Sequence, residues 1–119
     1  MQLTLRINDE KKTFSVDFIS GYMFRRAIDL EEKRGKFLKK LIEEGVSAEE
    51  QKALLNELYG FIVQIFDKQF TTDEYENGSD ARRIVDQSWA IVNGIIGQVS
   101  NPLGKLETKS DSDTNNGKK

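Results

Sequence analysis

The sequence predicts a mainly α (α+β) fold: an N-terminal β-hairpin packed on a small bundle of about four helices, followed by a disordered C-terminal tail. Three observations carry this reading. Apolar residues alternate with a period of two near the N-terminus, as half-buried strands require. They recur at three and four positions through most of the chain after it, the spacing of amphipathic helices. Beyond Pro102 the composition turns almost wholly polar. At 119 residues the chain has the length of one ordinary core, so residues 1–100 are expected to form a single helical domain with the hairpin, and 101–119 a disordered polar tail.

Met1 to Ile7 alternates, and Thr13 to Phe18 alternates again after the polar stretch Asn8 to Lys12. Leu3, Leu5 and Ile7 should share one face with Phe14, Val16 and Phe18. Such a ribbon is marginal alone, so it must rest on the helices, and its open edge is a candidate for accepting another chain. Ser20 is placed to cap a helix from about Gly21 to Lys33. Gly35 interrupts the pattern, and Phe37, Leu38, Leu41 and Ile42 resume it as far as Gly45, which leaves open one kinked helix or two.

Ser47-Ala48-Glu49-Glu50 reads as a capping box, with the hydroxyl and the carboxylate each reaching the other's backbone amide. The helix it opens should run through Leu54, Leu58, Tyr59, Ile62 and Phe66 to about Gln69, with an apolar stripe wide enough for the central element. Thr71 to Glu74 starts a connector helix ending at Asn77-Gly78. Ser79 or Asp80 then caps a last helix carrying Ile84, Val85, Ser88, Trp89, Val92, Ile95, Ile96 and Val99, which Asn101-Pro102 is expected to end. Ordering the tail beyond it would cost entropy that no apolar residue there offsets.

Composition narrows the function. Cysteine is absent, which removes disulfides, thiolate metal sites and thiol nucleophiles, and histidine is absent, which removes the commonest metal ligand and acid–base group. The formal charge is −2, so no overall field draws the chain to nucleic acid. No run approaches the roughly 20 apolar residues a bilayer crossing needs, and the N-terminus opens on strand alternation, so a cytoplasmic protein is expected. Asp73, Glu74, Glu76 and Asp80 lack the pattern of a calcium loop and read as caps. The pairs Arg25-Arg26, Lys39-Lys40 and Arg82-Arg83 have acidic neighbours and read as solvated faces. No enzyme, cofactor, nucleic-acid or membrane role is therefore expected, and protein binding is.

The order of hairpin and helices, the apolar helix closing with Ile65-Phe66-Asp67, and the block Gln69-Phe70-Thr71-Thr72-Asp73-Glu74-Tyr75-Glu76-Asn77-Gly78 resemble the tail assembly chaperones of long-tailed, siphovirus-like phages or prophages of Gram-positive hosts. The helix opening Tyr22-Met23-Phe24-Arg25-Arg26-Ala27 is of the same kind as theirs. The resemblance covers about residues 1–100. It implies a protein that binds and solubilises the tape measure protein, helps recruit tail tube protein, and leaves before the virion is complete, with no catalysis and no cofactor. It also implies a longer product made by frameshifting. Gly117-Lys118-Lys119 suits a slippery site as well as it suits an ordinary solvated terminus. Self-association is left open, and a small regulatory adaptor or antirepressor-like protein binding one folded partner is the alternative.

The candidate partner contacts are Tyr22, Phe24, Arg25, Tyr59, Phe70 and Trp89, some of which should prove to be core. Trp89 illustrates the choice. Trp is enriched among interface anchors, yet this one continues the stripe of Val85 and Val92.

Overall fold

The computed structural model describes the backbone of residues 1–107 and the side chains of residues 1–97. Its elements run in the order β1 (Gln2–Ile7), β2 (Glu10–Ser15), α1 (Gly21–Glu43), α2 (Ala48–Ile65), α3 (Thr72–Gly78) and α4 (Ile84–Glu107). The hairpin and helices enclose one apolar cluster, centred on the second half of α2, where Leu58, Phe61 and Ile62 are fully buried.

The hairpin is tighter than the sequence reading expects. Asn8 and Asp9 both have positive φ, 55° and 64°, so they form the two-residue connection whose twist matches paired strands. Glu10, Lys11 and Lys12, read as loop, are therefore strand, and pair with Ile7, Arg6 and Leu5. Strand β2 correspondingly stops at Ser15. Leu3 and Leu5 are buried and Phe14 and Val16 turn inward, but Phe18 lies beyond the strand and is 78% exposed, which corrects its expected place on the apolar face.

Helix α1 is a single continuous helix. Ser20 caps it as expected, its hydroxyl accepting from the Met23 amide, and Gly45 at φ +86° comes just after its end. Gly35 sits inside it on an open face, flanked by the ion pairs Arg34–Glu31 at 3.5 Å and Lys36–Glu32 at 3.9 Å. Each such pair contributes only about 0.3–0.5 kcal/mol, but two of them offset most of the roughly 1 kcal/mol that an interior glycine costs. The Ser47–Glu50 capping box of α2 is formed with both bonds. Lys40 at the end of α1 reaches the same Glu50 carboxylate at 2.5 Å. The Lys40 ammonium and the Ser47 amide hold the Glu50 carboxyl below its ordinary range.

Helix α2 ends at Ile65, short of the expected Gln69. The Asp67 amide donates to Gln64 and the Lys68 amide to Val63, while Asp67 and Lys68 take φ of 56° and 58°. This is the Schellman closure, built here without the usual glycine. Reversing the chain there turns Phe66 and Phe70 back into the core, where Phe70 lies 4.9 Å from Phe14 and 5.9 Å from Tyr75. A second capping box, Thr71 with Glu74, opens α3.

Strand β1 and α3 touch backbone to backbone at Gly78, where an added Cβ would lie 2.8 Å from the Arg6 carbonyl oxygen. Neither partner is a flexible side chain, so one element must move. Gly78→Ala is expected to lower stability by roughly 1–3 kcal/mol in urea unfolding, whereas Gly60→Ala, with open space around it, should not. Between α3 and α4, the Asp80 carbonyl accepts from Ile84, and its carboxylate accepts from the Arg82 amide at 2.8 Å. Helix α4 then continues through Pro102 to Glu107, so the expected stop at Asn101-Pro102 is corrected. Proline removes its own donor from the helix and leaves the amides on either side able to pair. Within the expected polar tail, 101–107 is thus helical backbone, and residues 108–119, including Gly117-Lys118-Lys119, lie outside the described residues.

Candidate partner-binding surface

Helices α1 and α2 extend beyond the core at their joined ends. In the first half of α1, Ala27 and Leu30 are enclosed, whereas in its last turns Leu38 is 44%, Leu41 45% and Ile42 83% exposed. The apolar stripe continues because the 3–4 spacing continues. Its cover does not, since α4 begins only at Ile84 and its first apolar neighbour, Val85, is 40% exposed.

These ends bound an apolar trough of about 300 Å³. Phe37 and Leu38 of α1, Leu54 and Leu55 of α2, and Val85 and Trp89 of α4 supply its apolar lining. The Arg34 guanidinium stands 4.8 Å from the Trp89 ring centroid, which holds the indole as part of the floor. Arg34, Gln51 and Asp86 supply the polar rim. The capping box and the Lys40–Glu50 contact mark the corner where α1 passes into α2. An apolar floor with few polar groups at its margin is suited to receiving an apolar ridge such as the face of a helix.

The residues proposed from sequence do not converge on one surface. Trp89 lines the trough, although only 7% of it is exposed. Tyr22 and Arg25 line a separate polar hollow of about 430 Å³ with Arg26, Asp29, Lys33 and Glu57, in which Lys33 pairs with Glu57. Phe24 is half-buried against the core. Tyr59 and Phe70 are core residues, 4% and 2% exposed, because Tyr59 packs edge-on against Tyr75 at 5.5 Å and Phe70 is held between Phe14, Phe66 and Tyr75. Each therefore presents almost no surface outside the core. The trough residues missed were Phe37, Leu38, Leu54, Leu55 and Val85. Their signal was present as periodicity, but periodicity does not distinguish a covered stripe from an open one.

A family model described as phage tail chaperone protein matches residues 1–119. The chain belongs to the phage tail chaperone family. No curated protein and no solved structure matches it. Membership supports a role in tail assembly as a chaperone. None of its helices among the described residues is long and apolar enough to cross a membrane.

Proposed function

We propose that this tail chaperone binds and solubilises the tape measure protein, receiving the apolar face of a client helix in the trough between α1, α2 and α4. The observation that carries the reading is an open apolar trough, floored by Trp89, on a chain of the tail chaperone family. A tape measure protein is long and rich in helices with exposed apolar faces. Many copies, each bound weakly, would cover it by multivalency and could be displaced as the tail grows. Recruitment of tail tube protein, through a longer frameshifted product, belongs to the same reading. So does action in the host bacterial cytoplasm, with release before the virion is complete.

The experiment is co-expression with a tape measure protein from the same phage or prophage, followed by size exclusion with light scattering. A soluble complex holding many copies per client is the expected result. A complex of one copy with one folded protein would favour the adaptor alternative instead. An insoluble client beside a folded, unbound chaperone would overturn the proposal.

A further inference from the structure

The trough and an exposed apolar ridge, Leu41 and Ile42, lie on the same helix. Phe37 and Leu38 line the trough, while Leu41 and Ile42, about one turn further along α1, project beyond it. Concave and convex apolar surfaces so close together, on one helix, are complementary to each other but cannot meet within one chain. A two-fold axis satisfies both at once, because each copy then offers its ridge to the other's trough.

Residues 108–119 contain no apolar side chain, so nothing in them can fill an apolar trough. We infer that in the free protein the trough is occupied by the α1 ridge of a second copy, the two α1 helices crossing antiparallel about an axis near Lys39 and Lys40. In that register Leu38 meets Leu41 of the second copy and Ile42 meets Phe37 of the second copy, beside its Trp89. Lys39 and Lys40 fall off the apolar stripe by helical spacing, and Lys40 is already engaged by Glu50, so no lysine enters the seam.

The size of the surface sets the strength of the pair. Leu38, Leu41, Ile42 and Val85 are each between 40% and 83% exposed, so the contact is apolar at its centre but small. Interfaces below about 1,200 Å² in total are characteristic of weak, exchanging complexes. The dimer therefore forms and dissociates readily, and a client helix entering the trough must displace the second copy. Dimerisation rests on the trough as a docking surface and not on the identity of the client. It is a store of covered chaperone that opens when client is made.

The test needs no client. Sedimentation equilibrium over micromolar to millimolar concentration should show the mass rising from the 13.6 kDa chain toward twice that value. Ile42→Glu, at a side chain 83% exposed and outside the trough lining, should weaken the association at least tenfold while leaving the circular dichroism unchanged. Because the chain has no cysteine and one tryptophan, a spin label on Lys39→Cys at natural isotope abundance, mixed with isotope-labelled wild type, reports contact between copies at the single indole N–H. Broadening of the Trp89 signal that disappears when both copies carry Ile42→Glu is expected. A chain that stays monomeric to millimolar concentration overturns the inference, as does a dimer that survives Ile42→Glu or leaves the Trp89 signal sharp. Addition of a tape measure helix separates the two proposals: a dimer that forms but does not dissociate with client removes the trough from client binding and leaves the pairing intact.

Discussion

Tyr75→Ala is expected to lower unfolding stability by about 4 kcal/mol, a large share of the 5–15 kcal/mol typical of a domain, and to abolish accumulation of folded protein at physiological temperature. Tyr75 is fully buried, and its ring contacts Tyr59 and Phe70. Its hydroxyl links α3 to α4. The Ser88 hydroxyl donates to the Ile84 carbonyl at 2.7 Å, so its lone pair accepts from Tyr75 at 2.6 Å, and the Tyr75 oxygen accepts in turn from the Gln87 side-chain amide at 3.2 Å. Burial pushes the Tyr75 phenol above its ordinary range, in keeping with its use as a neutral donor. Alanine leaves a cavity where hairpin, α2 and α4 meet. Tyr75→Phe separates the two contributions: it keeps the ring and loses the hydroxyl, and should cost about 1 kcal/mol. Urea denaturation of the pair, read by the fluorescence of Trp89, measures both. Equal losses in the two variants would show that the hydroxyl network, and not the packing, holds α3 in place.

Val85→Asp is expected to reduce capture of the tape measure protein at least tenfold while leaving the fold intact. Val85 is partly exposed at the start of α4 and lines the trough. An acidic side chain in the first turn of a helix interacts favourably with the helix dipole, so the free protein should lose less than about 0.5 kcal/mol. The bound state is different, because a client's apolar face would desolvate the carboxylate. Soluble client recovered on co-expression, with thermal unfolding of the chaperone alone as control, gives the result. Ile42→Glu is the complementary variant: it should disrupt pairing between copies and leave the trough free, so client capture should persist. Undiminished capture by Val85→Asp would move client binding to the hollow beside Tyr22 and Arg25.

The local signals in the sequence were legible wherever one side chain decides the backbone. Ser20, the Ser47–Glu50 box and the Thr71–Glu74 box each satisfy amides that a helix start leaves unpaired, and each stands where its residue types place it. Features decided by partners distant in sequence were not legible. Glu10 to Lys12 are polar and resemble loop, and become strand only because Asn8 and Asp9 turn tightly enough to lay them along β1. Asp67 and Lys68 adopt the left-handed conformation without glycine because Phe66 and Phe70 gain burial by it. The trough arises from a difference in length: α1 and α2 run further than the part of α4 that could cover them. Nothing in the spacing of Phe37, Leu38, Leu41 and Ile42 records where another helix begins.

The placement of the core at one end of the helices has a mechanical consequence. The second half of α2, α3 and the hairpin form a stiff handle, whereas the last turns of α1 and the first turns of α2 are held mainly by caps and exposed ion pairs. Elements with few enclosed apolar contacts open at a small fraction of the global unfolding free energy. The jaws of the trough are therefore compliant, and their spacing can adapt to ridges of different width at little energetic cost. A chaperone with one rigid seat would read a single segment of a long client; one with yielding walls can grip successive, non-identical helices along its whole length.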